Sequence, residues 1–253
     1  MPSAHQPPAF DHTRIRYQED RYGGIILDGT AINQTPEEFE ENLTKIIAEH
    51  ADKNLLWITL PIEKSAYIPL LTKHNFTFYD CSETALILVK KVVANPIIPT
   101  ATNHTIGVGV FVRDGDNMLV VKDRIYKSYK LPGGYIDNEE NISQAAVREV
   151  AEETGISVEM ESVVSIGHFS PCQFNESNIY LVCKAVPLSR EIVITDTQEI
   201  LEARWINIER YLNHEDVHPY NKKIVAAAMQ RRGIKLENGD FFITEKKRHE
   251  FFF

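Results

Sequence analysis

The first feature that could do chemistry is a cluster of acidic residues in the segment GGYIDNEENISQAAVREVAEETGI, which runs from Gly133 to Ile156. Glu149, Glu152 and Glu153 fall within about one turn if this segment is helical. Like charges at this spacing repel by a few tenths of a kcal/mol per pair, so an ordinary helix gains nothing from them. A divalent cation would turn that repulsion into binding. The alternative is a solvated acidic face, a common role for such runs.

The residues around the glutamates predict a helix from Ile142 to Thr154. Asn141 is a residue type that caps helix N-termini, and Gly155 is the type that follows helix C-termini. Helical periodicity then predicts one buried face and places the three glutamates on the opposite, exposed face. The residues predicted to be buried are Val147, Val150, Ala151 and Thr154.

The sequence that flanks this helix favours a metal or phosphate site over a solvated face. Segment 131–134 (LPGG) is a tight turn whose glycines allow the backbone to approach an ion or a phosphate closely. Arg148 lies four residues before Glu152 and can orient carboxylates through bidentate hydrogen bonds. Glu140 lies on the same loop, just ahead of the helix.

Together, Gly134, Glu140 and the run from Arg148 to Ile156 resemble a complete Nudix box, with every fixed position of that pattern filled. So many constrained positions make a chance match improbable. The resemblance implies a Mg²⁺- or Mn²⁺-dependent pyrophosphohydrolase that acts on a nucleoside diphosphate linked to another moiety.

The resemblance also implies roles for individual residues. Glu149 and Glu153 would bind the metal together with the carbonyl of Gly133, and Glu152 would bind it directly or through water. The general base would be Glu199, by analogy with Nudix enzymes that place a glutamate after the box, or alternatively Glu152.

Other residues of the pattern are candidates for orienting these groups or touching the substrate. Arg148 would orient the catalytic carboxylates. Gly134 and Glu140, on the loop before the helix, are candidates for substrate contact. His168, near the end of a predicted strand, is a further candidate, although a single histidine there could equally be structural.

Composition limits the possible functions of the 253-residue chain. It is 43% hydrophobic and 25% charged, as expected for a globular protein, and its formal charge of −9 argues against bulk nucleic-acid binding. The three cysteines are far apart and form no CxxC pair, so neither a disulfide framework nor a zinc site is predicted. No apolar span approaches the ~20 residues of a membrane helix, and the N-terminus lacks a signal-peptide pattern. We therefore expect a cytoplasmic protein without membrane contacts.

The distribution of proline and of hydrophobic periodicity predicts two domains. Residues 1–16 would be a flexible lead-in, 17–92 an α/β domain, 93–102 a proline-containing linker, 103–235 the catalytic domain and 236–253 a tail. The first domain has no evident catalytic cluster and would serve packing or dimerisation.

Patterns within the two domains predict individual elements. The first domain should contain two helices and four strands, with strands at 23–27, 55–60, 76–79 and 85–89 and helices at 36–50 and 66–73. The second should contain a hairpin over 105–122 that turns at Asp114-Gly115, strands at 163–168, 179–185 and 203–206, and a closing helix at 220–230.

Nearly the whole chain, from about Arg16 to Ala228, resembles the two-domain Nudix group of plant ADP-ribose/NADH pyrophosphatases and animal Nudix motif 6 proteins. The resemblance implies an α/β (α+β) fold: a Nudix α/β/α sandwich with a mixed sheet, preceded by a small acetyltransferase-like α/β domain. It also implies a homodimer. Two positions depart from the group, because Ser165 stands where an arginine is often found and Tyr129 where a tryptophan is common.

Three functions agree with the sequence. The favoured one is hydrolysis of the pyrophosphate of a small molecule such as ADP-ribose or NADH. The alternatives are a Nudix hydrolase of nucleoside triphosphates or capped RNA, and a nucleotide sensor without turnover. A complete set of glutamates argues against the sensor.

Overall fold

The computed structural model describes residues 15–172, 176–237 and 249–253. The chain divides into two compact units between Thr102 and Asn103, at the end of the predicted linker. The predicted lead-in lies almost entirely outside the described residues, as does most of the predicted tail. In the parts of the chain described here, no helix is long and apolar enough to cross a membrane.

The N-terminal unit is one five-stranded sheet with two α-helices. Its strands follow the order β1-β2-β3-β5-β4, and the β2–β3 pair is parallel while the others are antiparallel. Short 3-10 helices span Gly29–Ala31 and Ile62–Tyr67. The elements are β1 (Tyr17–Glu19), β2 (Ile25–Asp28), α1 (Pro36–Glu49), β3 (Leu55–Pro61), α2 (Ile68–Lys73), β4 (Thr77–Cys81) and β5 (Ala85–Lys91).

Helix α1 begins where its sequence predicts. The Thr35 hydroxyl accepts a hydrogen bond from the Glu38 N–H at 3.3 Å, and the Glu38 carboxylate accepts one from the Thr35 N–H at 2.9 Å. Phe39, Leu43 and Ile46 then face inward and pack with apolar residues of the sheet. This unit therefore has its own apolar core. Its likeness to acetyltransferases stays a prediction.

The C-terminal unit is built on a six-stranded mixed sheet. The strand order is β11-β7-β6-β10-β9, with β8 also paired to β7, and β6–β10 is a parallel pair. Its elements are β6 (His104–Asp114), β7 (Asn117–Asp123), β8 (Tyr129–Lys130), α3 (Ile142–Thr154), β9 (Val158–Phe169), β10 (Ser177–Pro187), β11 (Ile200–Asn207), α4 (Ile208–Leu212), α5 (Pro219–Gln230), β12 (Leu236–Glu237) and β13 (Phe251–Phe252).

Helices cover both faces of this sheet. Val108, Val110 and Val112 of β6 pack in the same core as α3, whereas Phe111 packs with α5 on the other face. This follows from the two-residue period of a strand. The predicted α/β/α sandwich with a mixed sheet is confirmed. Strands β1 and β8, helix α4 and the short β12–β13 pair were not predicted.

The buried face of α3 agrees only in part with the predicted one: Val150 and Thr154 are buried as predicted, but two other residues are not placed as predicted. Val147 is 36% exposed and borders a cavity of about 750 Å³, whereas Glu153 is only 4% exposed. Ala146, Val150 and Glu153 follow the i, i+4, i+7 spacing of a single face. The prediction that Val147 is buried and Glu153 exposed was therefore wrong. The sequence prediction gave the larger apolar side chain of Val147 more weight than the small side chains of Ala145 and Ala146, which are buried.

We expect Thr35→Ala to lower the free energy of unfolding of the N-terminal unit by about 1 kcal/mol, because it removes one half of the α1 cap. The chain has two tryptophans, of which Trp57 lies buried in this unit. Urea unfolding of a Trp205→Phe background, followed by Trp57 fluorescence, would measure the change.

Thr44→Ala is the matched control for this change. Thr44 lies exposed inside α1, where alanine has the higher helix propensity, so this variant should be neutral or slightly stabilising. Equal losses in the two variants would contradict the role given to the cap.

Candidate active site

The turn at 131–134 lies against β6 as a short extended segment. The N–H of Val110 donates to the Pro132 carbonyl and the N–H of Val108 to the Gly134 carbonyl, both at 2.8 Å. A Cβ at Gly133, where φ is +148°, would lie 2.0 Å from the Val108 carbonyl oxygen. Only glycine fits there. The turn is therefore hydrogen-bonded to β6 through its carbonyl groups, which leaves the Gly133 N–H free to bind a neighbouring side chain.

Glu153 reaches from α3 to this turn. Its Oε2 accepts a hydrogen bond of 2.7 Å from the Gly133 N–H. Burial raises the pKa of Glu153 to about 8, although the charge of Lys130 and the Gly133 hydrogen bond act in the opposite direction. The carboxylate is thus held in a place where negative charge is poorly compensated.

Arg148 gathers three glutamates. Its Nε and Nη2 donate to the two oxygens of Glu140, both at 2.8 Å, and its Nη1 donates to Glu149 at 2.8 Å and to Glu152 at 3.1 Å. The hydrogen bonds to Glu140 are the main cause that raises the pKa of Arg148, and Arg148 lowers the pKa of Glu140. Burial nevertheless raises the pKa of Glu149. The guanidinium therefore fixes these carboxylates without neutralising all of them.

Gly134 and Glu140 both contact other residues of the cluster, and their contact with substrate stays a prediction. Both oxygens of Glu140 are occupied by Arg148, so this side chain supports Arg148. A Cβ at Gly134 would lie 2.6 Å from the nearer carboxylate oxygen of Glu149. Gly134 therefore leaves room for Glu149 beside the turn.

Lys130 and Asp123 complete the cluster, and the sequence did not single them out. Asp123 ends β7, is 5% exposed and accepts hydrogen bonds from the N–H groups of Ile125 at 2.9 Å and Tyr126 at 2.6 Å. Burial alone would raise the pKa of Asp123, but the Tyr126 N–H and the Lys130 ammonium outweigh it and lower the pKa. One available sequence signal was the apolar run from Met118 to Val121 in β7, which ends two residues before Asp123.

The structure brings Glu199 to the same cluster from a distant part of the chain. It lies on the turn before β11, and its side chain is 56% exposed. Its Oε1 lies 3.8 Å from the Lys130 Nζ, and its negative charge contributes to the raised pKa of both Glu149 and Glu153. A cleft of about 510 Å³ is lined by Glu152 and by residues 195–198, which directly precede Glu199 in the chain.

His168 lies apart from this cluster in the contacts found for the described residues. Its Nε2 is 3.1 Å from the Nε2 of His104, and the two exposed rings are stacked with centroids 5.2 Å apart. Its role in substrate contact stays a prediction.

The carboxylates suit a hard divalent cation in their charge and in their oxygen donors. Burial of Glu149 and Glu153 leaves negative charge that a cation would compensate. As the side chains lie, however, no group of three or more His, Cys, Asp or Glu residues in the described parts is arranged to enclose a metal ion. Arg148 and the Gly133 N–H take several of the oxygens. Metal binding would require some of these oxygens to exchange partners.

Comparison with known proteins identifies relatives of both units. A family model described as NUDIX domain matches residues 103–228, and one described as Nudix hydrolase domain matches residues 15–92. Nudix hydrolase 8 of Arabidopsis thaliana is 30% identical over 77% of this chain, which spans only 55% of that protein. Nudix hydrolase 5 of the same plant is 30% identical over 85% of this chain and 73% of its own length. Nucleoside diphosphate-linked moiety X motif 6 of Homo sapiens is 29% identical over 81% of this chain and 69% of its own length.

We expect Gly133→Ala to lower the free energy of unfolding of the C-terminal unit by about 3 kcal/mol, because the new methyl group collides with the Val108 carbonyl. Urea unfolding followed by Trp205 fluorescence in a Trp57→Phe background would measure the loss.

Gly115→Ala provides the comparison for this glycine. Gly115 also has a positive φ, +58°, but nothing lies within 4 Å of its added Cβ. Gly115→Ala should lower the free energy of unfolding by about 1 kcal/mol, because only the unfavourable backbone conformation of the alanine contributes. If both variants lose the same amount, the close approach of the turn to β6 does not constrain Gly133.

Proposed function

The chain belongs to the Nudix hydrolase family, and on this premise we propose that it is a metal-dependent pyrophosphohydrolase of a nucleoside diphosphate linked to another moiety. ADP-ribose and NADH are the substrates we favour within this class. The reaction gives a nucleoside monophosphate and a phosphorylated second product. The name of the human relative, which refers to a nucleoside diphosphate-linked moiety, supports this class.

The observation that carries this proposal is the concentration of carboxylates around the Gly133 turn. Glu149 and Glu153 are largely buried, and burial raises the pKa of both carboxyl groups. The charge of Glu199, on another loop, raises both pKa values further. A diphosphate carries negative charge and would be repelled by such a site on its own. The arrangement therefore suits a reaction in which cations accompany the substrate.

Nudix hydrolases generally need divalent metal ions, and we favour Mg²⁺ or Mn²⁺ here. Glu149, Glu153 and the Gly133 carbonyl would hold the metal, with Glu152 bound directly or through water. Such an ion, when bound, neutralises the diphosphate and polarises the phosphoryl oxygens.

Glu199 is the best candidate for the general base among the clustered glutamates. Its side chain is 56% exposed, so water can reach it, and it accepts no hydrogen bond from Arg148 among the contacts of the described residues. Glu149 and Glu153 are largely buried. Glu199 would take the proton from water as the oxygen attacks phosphorus and the bridging P–O bond breaks.

Glu152 is equally exposed and lines the cleft beside residues 195–198, but Arg148 donates a hydrogen bond to it, so it is the alternative base. Glu153 suits this task poorly, because it is buried and bound to the Gly133 N–H.

The competing functions differ in their products. A triphosphatase would release pyrophosphate, and a decapping enzyme would act on capped RNA. A sensor would bind nucleotide without turnover. Incubation of the purified chain with each substrate class and either metal, followed by product identification, tests the proposal. Release of a nucleoside monophosphate from ADP-ribose or NADH is the expected result, and turnover of triphosphates alone would contradict it.

We expect Glu199→Gln to lower kcat by about 10²- to 10⁴-fold while leaving metal affinity near that of the wild type, as expected for a general base. Calorimetric titration with Mn²⁺ and steady-state kinetics would separate these effects. Glu153→Gln should instead weaken metal binding together with turnover.

Glu161→Gln serves as the control because Glu161 is an exposed glutamate on β9 outside the cluster. It should change neither quantity. A loss of metal affinity in Glu199→Gln equal to that in Glu153→Gln would make Glu199 a metal ligand instead of a base.

We also expect the chain to form a homodimer, as the resemblance to the two-domain group implies. Light scattering at micromolar concentration should then give about twice the chain mass of 28.9 kDa. A single mass of one chain across this range would contradict the dimer.

A further inference from the structure

Two basic side chains divide the carboxylates of the candidate active site between them. Arg148 binds Glu140, Glu149 and Glu152. Lys130 faces the other three acids: its Nζ lies 3.4 Å from Asp123, 3.8 Å from Glu199 and 4.0 Å from Glu153. The second group unites a metal-ligand candidate, the general-base candidate and an acid to which no role has been assigned.

Asp123 is built to hold Lys130. Its Oδ1 accepts the backbone hydrogen bonds of Ile125 and Tyr126, which fixes the carboxylate, and its Oδ2 faces the ammonium group. Lys130 itself belongs to β8, which is paired with β7, and its side chain is only 29% exposed. The sheet therefore fixes the backbone of Lys130 through the β7–β8 pairing, and it fixes the ammonium group through Asp123 at the end of β7.

Glu199 has a fixed backbone and a side chain with fewer constraints. Its N–H donates to Asp196 at 3.0 Å, and its carbonyl accepts from the Arg124 N–H at 3.0 Å. The carboxylate extends into solvent, where a glutamate on a turn samples several rotamers. Within the described residues, Lys130 is its ion-pair partner. A partly buried cation beside it favours the rotamers that direct it toward Glu153.

We propose that Lys130 is a positioning residue that holds the Glu199 carboxylate at the catalytic cluster, and that Asp123 in turn fixes Lys130. This inference rests on the proposed hydrolase function. The ammonium charge is shared by three carboxylates, so Lys130 acts on them instead of serving as a primary phosphate-binding group. Its contribution reaches the reaction through Glu199.

A double-mutant cycle tests this inference. Lys130→Met should lower kcat by about 10- to 100-fold, as loss of a supporting partner does, with little change in KM. In a Glu199→Gln background the same change should cause little further loss, because the group that Lys130 positions is already disabled. Lys130→Arg, which keeps the cation, should recover part of the activity.

Lys122→Met is the matched control. Lys122 lies near the end of β7, and its Nζ sits 4.5 Å from the centre of the Tyr129 ring. This variant should keep wild-type kinetics. An equal loss in Lys122→Met, an equal effect of Lys130→Met with and without Glu199, or a raised KM at unchanged kcat would each overturn the proposal. Circular dichroism checks folding, and Lys130→Gln replaces Lys130→Met if the methionine variant does not fold.

Failure of the proposed function would be distinguishable from failure of this inference. If the wild type turns over none of the nucleoside diphosphate derivatives, the hydrolase proposal fails. The melting temperatures of Lys130→Met, Asp123→Asn and the double variant then still measure the pairing. If the melting temperature of the double variant falls by less than the sum of the two single decreases, Asp123 and Lys130 interact as proposed. If the decreases add, the proposal that Asp123 fixes Lys130 is overturned.

Discussion

The carboxylate of Glu153 lies beside the Gly133 turn, almost removed from water, and the residues around it make that burial tolerable. An ionised carboxylate in such a place costs several kcal/mol unless it is paired and hydrogen-bonded. Here the compensation is one backbone N–H at 2.7 Å and a lysine 4.0 Å away. The residual cost appears as a raised pKa. Incomplete compensation of this kind would favour the binding of further positive charge beside Glu153.

The turn that supplies this N–H owes its position to the sheet. Pro132 and Gly134 are hydrogen-bonded to β6, so the amide of Gly133 is held by a central strand. Helix α3 packs against one face of β6 through Ala145, Ala146 and Val150. The distance between turn and helix is therefore set by core packing. The backbone positions of the site are therefore fixed in advance, and a bound cation would only require carboxylate oxygens to exchange the Gly133 and Arg148 hydrogen bonds for the ion.

Local signals in the sequence were sufficient for the elements that carry the site. The start of α1 and both ends of α3 follow from their cap residues, and the acidic helix was located by its charge pattern. The burial of Glu153 could not be foreseen, because it depends on a turn twenty residues earlier in the chain. The Lys130 pairs with Asp123 and Glu199 were missed for the same reason. Strand β1 has three exposed residues, and only its pairing with β2 makes it a strand.

The parallel pairing of β6 with β10 also bears on how the C-terminal unit assembles. The two strands meet across a separation of 73 residues, as in the contact between Asn178 and Thr105. Closing that loop costs conformational entropy before the β6–β10 hydrogen bonds can form and offset the cost. The hairpin formed by β6 and β7 and the first turns of α3 involve only residues close together in the sequence. The central strand pair should therefore be a late event in folding. The turn and the helix that carry the acidic residues both lie within the loop that this event closes.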